Sequence, residues 1–284
     1  MKSSIEFPKI TVVTPSFNQG QYLDQTICSV INQGYPNLEY IIMDGGSSDD
    51  SVGIIKKYAS HLFYWQSCSD GGQTAAVNAG FTKGTGELLT FINSDDMLLP
   101  GSLRRAARYA VDYPSVAVFY GDLVFIDAGS TATKCYYYPP VYKWVAWNNM
   151  FLPQPGVFFR RRVWELVGGL DESLGYAFDR DFWFRLLQAD CRFASLGIPT
   201  AAFRKHAAAK GLVPAWVIKA VAENQILEKR YLRTSKPADR LAARSALYAL
   251  QVLLLNYQRH ILSRWFKSRL QRLVNAAATA PRGL

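Results

Sequence analysis

The chain has 284 residues, 49% of them hydrophobic and 14% aromatic, which suits one large globular domain with a small appendage and excludes a disordered polymer. Its net charge of +10 is unevenly placed: residues 201–284 hold sixteen Lys/Arg against three Asp/Glu, whereas residues 1–200 hold sixteen against nineteen. A mildly acidic body with a basic tail argues against a catalytic domain evolved to grip nucleic acid, so no nucleic-acid partner is expected.

The opening stretch MKSSIEFPKITVVTPSFN carries one short apolar run broken by Pro15, which fits neither a secretory signal nor a membrane span. Residues 10–14 (ITVVT) are a β-branched run of the kind buried in parallel sheets, ended by the loop Pro15-Ser16-Phe17-Asn18-Gln19-Gly20. Leu23, Ile27, Val30 and Ile31 recur at helical spacing until Gly34 and Pro36 stop them. Residues 39–43 (EYIIM) predict a second strand closed by Asp44-Gly45-Gly46, with Ser47 or Asp49 placed to cap a helix from Ser51. A third strand is expected over 63–66, then Asp70-Gly71-Gly72 and a helix over 74–83. A strand over 87–92 follows and runs into Asn93-Ser94-Asp95-Asp96. Such alternation, with short polar loops at the strand ends, is the pattern of an open parallel α/β sheet.

From Val116 the pattern changes. VAVFYGDLVFID and residues 136–138 read as antiparallel strands added beside the sheet, and 144–151 as an aromatic helix. Residues 182–187 lie on a helix opening at Asp179, and 201–204 form a last strand. Beyond Pro214 only helices are expected, over 214–232, 238–260 and 261–275, with a composition break near 210–214. The longest apolar run, 246–255, is interrupted by Gln251 and too short to cross a bilayer. Cys28, Cys68, Cys135 and Cys191 show no CxxC pair and no metal-ligand spacing. Each is expected to be a small core residue in a reduced, intracellular setting.

In open α/β sheets ligands bind at the carboxyl ends of the strands. Those ends present Pro15, Ser16 and Asn18, then Asp44, then Asp70 and Gly72, then Asp95 and Asp96. An anionic ligand meets repulsion there unless a divalent cation lies between, and hard cations favour one or two carboxylates with phosphate oxygens. Asp95-Asp96 suits that role, although ordinary turn chemistry accounts for such a pair equally well. Asp49-Asp50 reads as a solvated helix start.

Taken in order, TPSFNQGQYLDQTICSVINQGYPNLEYIIMDGGSSDDS, DGGQTAAVNAGFTKGTGELLTFINSDDMLLPGSL, QPGVFFRRRVWELVGGLDESLGYAFDRDFWFRL and FRKHAAAKG resemble family 2 glycosyltransferases of the GT-A fold. The resemblance covers about residues 8–211. It implies an open, mostly parallel twisted sheet flanked by helices over 1–212; the composition beyond that break reads as a basic α-helical extension over 213–284. It also implies inverting transfer of a hexose or N-acetylhexosamine from a nucleoside diphosphate sugar, with UDP expected; a carboxylate at Asp44 favours uracil or thymine, whose N3–H is a donor. Pro15, Ser16, Asn18 and Asp44 would line the base pocket, with Gly72, Gln73, Asn78, Ser94 and Asp95 around ribose, sugar and diphosphate. Asp96 and His206 would hold Mg²⁺ or Mn²⁺, and Asp179 would take the acceptor hydroxyl's proton. The first acidic position of the family's Asp-x-Asp-type motif is Asn93 here.

Read locally, Asp179 fits a helix N-cap as well as a base, and Asp181 fits an i+4 partner for Arg185. Lys210 fits either a phosphate partner or a solvated lysine. Trp144, Trp147, Trp183 and residues 136–138 offer faces for sugar stacking, though most fit a core equally well. Gln154 is placed to face an acceptor. The expected acceptor is a saccharide or a lipid-linked saccharide. The tail, with RHILSRWFKSRLQRL, fits an anionic membrane surface through 256–275, a dimer contact, or packing on the catalytic domain. A cytoplasmic protein, peripheral on the inner face of the membrane, follows from the first of these. Two rivals are a sugar-phosphate nucleotidyltransferase, for which PSFNQG lacks a basic triphosphate-binding residue, and a catalytically silent nucleotide-sugar-binding protein, against which Asp96 and Asp179 both stand. A dinucleotide-binding Rossmann fold is excluded because no GxGxxG follows the first strand.

Overall fold

The computed structural model describes residues 7–148, 150, 152, 154–232 and 236–279. Its first half alternates as the sequence predicts: β1 (Ile10–Ser16), α1 (Gly20–Ile31), β2 (Leu38–Asp44), α2 (Ser51–Lys57), β3 (Tyr64–Ser67), α3 (Gln73–Lys83) and β4 (Leu88–Phe91). These four strands pair in parallel in the order β3-β2-β1-β4. Every residue of β1 is buried, because helices cover both faces of a parallel sheet. Side chains alternate between those faces. Val13, Ile41, Met43 and Phe91 join a core with Phe81, Phe159 and Phe182. Val12, Tyr40, Ile42 and Leu88 join a second core with Leu23, Ile27 and Leu103.

The second half is β5 (Met97–Leu98), α4 (Ser102–Asp112), β6 (Val118–Ile126), β7 (Ala132–Tyr136), α5 (Lys143–Asn148), β8 (Val157–Arg160), α6 (Arg161–Leu166), α7 (Phe178–Gln188) and β9 (Phe193–Arg204). Among the described residues one sheet of nine strands results, continuing β4-β8-β6-β9-β5, with β7 against β6. The expected antiparallel addition around β6 is present in its pairing with β7 and β8. However, β6 is an interior strand, since β9 runs parallel along its other edge from Phe193. That close approach needs Gly121, where an added Cβ would lie 2.3 Å from Thr200 Cγ2.

The tail departs further from expectation. α8 (Pro214–Tyr231) is followed by one helix, α9 (Pro237–Ala278), without a break at 260. Ala220, Glu223, Leu227 and Tyr231 recur at helical spacing and are buried, with Leu227 and Tyr231 in the first core. Leu270, Val274 and Ala277 close a third cluster with Met97, Leu99 and Val124. Asn32 Nδ2 donates to the Thr279 carbonyl at 2.5 Å, joining α1 to the end of α9. For Leu270 the packed alternative holds over a lipid-facing one, since it is a core residue. Trp265 and Phe266, which carry the rest of that expectation, have side chains outside the described residues. No helix among the described residues is long and apolar enough to cross a membrane. The four cysteines are unpaired, and Cys68, expected in a core, is exposed.

Candidate active site

The register brings Ser16, Asp44 and Ser67 level across three strands, while Val13 lies opposite Phe91 of β4, so the four strands end at one edge. Asp44 is buried at that edge. Its Oδ2 accepts from Ser67 Oγ (2.6 Å), Ser47 N (2.9 Å) and Gly46 N (3.2 Å), and its Oδ1 accepts from Ser47 Oγ (2.6 Å). Asn18, in the left-handed region at φ 51°, accepts from Ser48 N at 2.9 Å and donates its own N–H to Ser47 Oγ. The loops after β1 and β2 are thereby tied together. Pro15 and Ser16 are buried beneath them, and Ser16 Oγ has no partner. Asp49 is more than a solvated helix start, because it accepts from Gly20 N at 2.8 Å and Ser51 N at 3.0 Å, tying the starts of α1 and α2.

After β4 the chain turns through Asn93 to Asp96, closed by Asp96 N donating to the Asn93 carbonyl. Asp96 is buried. Its Oδ1 accepts from Arg204 N at 2.9 Å, while Oδ2 has only a 3.5 Å contact with Asn93 Nδ2. Burial, then the neighbouring Asp95 charge, holds its carboxyl well above the usual range. Asp95 accepts from His206 Nε2 at 3.0 Å, and the His206 ring packs on Tyr22 at 4.7 Å. Ser94 is buried, its carbonyl receiving Thr26 Oγ1 at 2.9 Å.

α3 enters from the same edge. Gly72 precedes it at φ 95°, a conformation that favours glycine. Gln73 donates to Asn93 Oδ1 at 2.6 Å and accepts from Lys210 Nζ at 2.5 Å. Lys210 is not solvated: its ammonium also lies over the Trp216 ring, and desolvation lowers its pKa to about 8. Gln154 accepts from Asn93 Nδ2 at 2.8 Å and donates to the Phe91 carbonyl, so its amide is engaged within this network. Asn78 has a different job from the one expected. Its amide donates to the Leu170 carbonyl and Glu172, and accepts from Leu170 N, so both its N–H₂ and its carbonyl bracket the 170–172 loop.

That loop leads to α7, whose first ring, Phe178, packs 5.9 Å from Phe91 at the end of β4. Asp179 is half-buried in the first turn. Ala177 holds the N-cap position, so Asp179 is not the cap. Desolvation pushes the Asp179 carboxyl up to about 6 against an opposing hydrogen bond from Arg180 N at 2.7 Å. Asp181 is buried and ion-paired with Arg185 Nε at 2.7 Å, as the i+4 spacing predicts. Trp183 is a core residue and not a sugar platform. Trp144 and Trp147 line a pocket with Leu187 and Gln188, at the opposite end of α7 from Asp179.

The family model for glycosyl transferase family 2 matches residues 11–167. The chain belongs to glycosyl transferase family 2. An uncharacterized glycosyltransferase of Mycobacterium tuberculosis is 31% identical over 180 residues, covering 63% of this chain and 68% of that protein. One from Rickettsia typhi is 25% identical over 203 residues, and the chain spans 61% of its length. Staphylococcus aureus TarS 1–349 in complex with UDP-GlcNAc is similar at a TM-score of 0.58 and 21% identity, over 70% of this chain and 59% of that one. A mannosyltransferase from Pyrobaculum calidifontis in complex with GDP-Man and Mn²⁺ is similar at a TM-score of 0.57 and 18% identity, over 96% and 87%. The open mixed sheet flanked by helices is accordingly a GT-A fold.

In this family 2 glycosyltransferase the acidic turn offers ligand atoms that would fit a divalent cation. Among the described residues no three His, Cys, Asp or Glu side chains converge as a ready-made cage. Asp96 nevertheless keeps one buried oxygen with only a long contact, and Asp95 with His206 stands beside it. Two carboxylates and an imidazole, completed by phosphate oxygens, match a hard or borderline cation. Sequence reasoning missed the residues that hold this turn. Arg204 is buried, with Nε on the Asp95 carbonyl (2.8 Å), Nη1 on Ser130 Oγ (2.8 Å) and Nη2 on Gln25 Oε1 (2.7 Å). Thr26 donates to the Asp96 carbonyl at 2.7 Å. The place of Arg204 two residues before His206 was the one available signal.

Proposed function

We propose that this glycosyltransferase moves a sugar, with inversion, from a nucleoside diphosphate donor to a saccharide or lipid-linked acceptor. UDP-hexose or UDP-N-acetylhexosamine is the donor class. The carrying observation is a buried Asp96 with an idle oxygen, at the same sheet edge as α7's first turn and its desolvated Asp179. Asp44, with spare lone-pair capacity on Oδ1, accepts from the base N3–H while Ser16 Oγ, Asn18 and Pro15 close around the nucleoside. Gly72 lets the backbone approach the diphosphate, flanked by Gln73, Ser94 and Asp95.

Asp179 accepts the proton of the acceptor hydroxyl as that oxygen attacks the anomeric carbon and the bond to the diphosphate breaks. A carboxyl near 6 is ionised at neutral pH yet more basic than an ordinary aspartate, which suits it to that task. Asp96 and His206 would hold Mg²⁺ or Mn²⁺, which as a Lewis acid stabilises charge on the leaving diphosphate. TarS is described in complex with UDP-GlcNAc, and the Pyrobaculum mannosyltransferase with GDP-Man and Mn²⁺; both support a nucleotide-sugar donor and the latter a metal.

A donor panel scored by nucleoside diphosphate release, with and without Mn²⁺, tests this reading. Turnover is expected with a UDP-sugar, lost in chelator and in Asp96→Ala and Asp179→Ala. Full turnover in both variants would remove the assigned metal ligand and base. We also propose attachment to an anionic membrane surface, a reading supported by Val217, Ile218 and Val221 of α8, which face solvent beside a basic tail.

A further inference from the structure

The helical tail grips the helix that carries Asp179. Ala177, at the N-cap of α7, has no side chain able to accept from the helix's first N–H groups. Glu223 of α8 reaches across and serves the segment just before the helix. Its Oε1 accepts from Gly175 N at 2.9 Å, and its Oε2 accepts from Tyr176 N and Ala177 N, each at 2.8 Å. The residue is only 4% exposed, so little water competes for these bonds. A negative charge beside a helix N-terminus also suits the helix dipole.

Two further grips follow along the same pair of helices. Arg180 Nη1 donates to Asn224 Oδ1 at 2.7 Å. Asp181 accepts from Arg230 Nη1 and from Tyr231 O–H, each at 2.7 Å, while the Tyr231 ring stacks on Phe184 at 4.9 Å. α8 thus bonds to the segment 175–181 at three levels, and Asp179 lies inside that span. Among the described residues, the side-chain hydrogen bonds of Glu223, Asn224, Arg230 and Tyr231 run to residues 171–181 and not to the strand-end turns.

We propose that Glu223 is a positioning residue for Asp179: it holds the 175–177 backbone so that the first turn of α7 presents the carboxylate to the acceptor, and α8 belongs to the catalytic unit. This rests on the assignment of Asp179 as base. The charged groups about this turn are Arg180, Asp181 and Arg185 on α7, Lys219, Glu223, Glu228 and Arg230 on α8, Arg244 on α9, and Asp171 and Lys210 in the adjoining segments. Of these, Arg180 lowers the Asp179 pKa and Glu223 raises it, both behind burial.

Glutamine at 223 keeps the size but offers one acceptor oxygen to three N–H donors, with an NH₂ forced among them. The test is a double-mutant cycle on the full chain, combining Glu223→Gln with Asp179→Asn and reading kcat, donor KM, nucleotide affinity and the acid limb of the rate profile. Glu223→Gln alone should cut kcat by roughly 10–100-fold, as loss of precise placement does. Donor KM and nucleoside diphosphate affinity should stay within about twofold, since uniform binding is untouched. The acid limb should move to lower pH as Asp179 loses its acidic neighbour. In the Asp179→Asn background the same substitution should cost less than about threefold, because the two act as a unit.

Equal losses in both backgrounds, or an unmoved acid limb, would overturn the positioning role and leave Glu223 a stabilising residue. Full turnover by Asp179→Asn alone would instead show that the base assignment was wrong, and the proposal falls with it. If Glu223→Gln does not fold, Glu223→Asp runs the same cycle, its shorter reach retaining charge while breaking the span to Gly175–Ala177. The rate losses and the cycle are then read as before, whereas the acid limb, with an acidic neighbour retained, should stay in place.

Discussion

Arg204 holds the acidic turn twice over: its backbone N–H donates to Asp96 Oδ1 at 2.9 Å, and its Nε donates to the Asp95 carbonyl at 2.8 Å. The same guanidinium reaches Ser130 and Gln25 and lies over the Tyr22 ring at 4.6 Å, so α1, β9 and the loop after β6 are pinned to one point. Burial lowers its pKa, with Asp96 the largest opposing influence. A lysine would keep the charge but lose the planar fork.

Arg204→Lys should therefore destabilise the fold by about 1–3 kcal/mol, the cost of leaving buried acceptors unmet. It should also raise the Mn²⁺ concentration needed for half-maximal activity about tenfold, as loss of an outer-shell partner does. Thermal melts and a Mn²⁺ titration read the two effects separately. A wild-type metal requirement in a folded variant would mean that Asp95 and Asp96 keep their places without the guanidinium.

Asp96→Asn should trade activity for stability. The folded carboxyl titrates well above an unfolded aspartate, so the fold favours the protonated form. Stability from that group is full below the unfolded pKa and is lost as pH rises through the folded one. Above the pH at which this carboxyl ionises, the wild type bears a buried charge that the amide removes. The melting temperature without metal should rise by a few degrees, about the shift expected for 1 kcal/mol in a chain of this size. The wild type with nucleoside diphosphate should gain about 2.7 kcal/mol from Mn²⁺ at one hundred times its Kd, and the variant almost none. Equal stabilisation of both by Mn²⁺ would place the cation elsewhere.

The rate profile of the wild type should fall on the acid side with one ionisation near 6, where the Asp179 carboxyl sits. Protonation removes the base, so kcat/KM drops as pH decreases through that value and is level above it. Asp179→Asn should lower kcat by at least about 100-fold and abolish the limb, with donor affinity unchanged. A limb that persists unchanged in this variant belongs to another group.

Much of this was legible in the sequence because the signals were local. β1, β2 and β4 are apolar runs cut off by Asp, Asn, Gly or Pro, so their polar ends could be aligned before any geometry was known. Asp181 with Arg185 followed from helical spacing alone. What escaped was non-local. The partner of Asn78 lies 92 residues away at Leu170, and that of Gly175 N lies 48 residues away at Glu223. β9 was foreseen only over its last four residues, because its pairing with β6 is set by Gly121 approaching Thr200 and not by its own pattern. The charge asymmetry of the tail was visible, but its burial of Leu270 and Val274 against Met97 and Leu99 was not.

That burial changes how membrane attachment must be tested. Deleting 256–284 would remove Leu270, Val274 and Ala277 from a packed cluster and loosen the turn-bearing strand β5 along with any lipid contact. Point substitutions on α8 avoid this, since its buried face is Ala220, Glu223, Leu227 and Tyr231, while Ile218 is 71% and Val221 56% exposed. Solvent-facing apolar side chains on a helix with a basic continuation suit insertion at a headgroup boundary. Ile218→Ser with Val221→Ser should weaken co-sedimentation with vesicles containing anionic lipid by roughly tenfold or more, given about 1.5 kcal/mol or more for each buried apolar side chain. Turnover on a soluble acceptor should be unchanged, and neutral vesicles should bind the wild type poorly at physiological salt. Undiminished binding by this double variant would exclude the exposed face of α8 as the lipid contact. Absence of wild-type binding to anionic vesicles would exclude membrane attachment altogether.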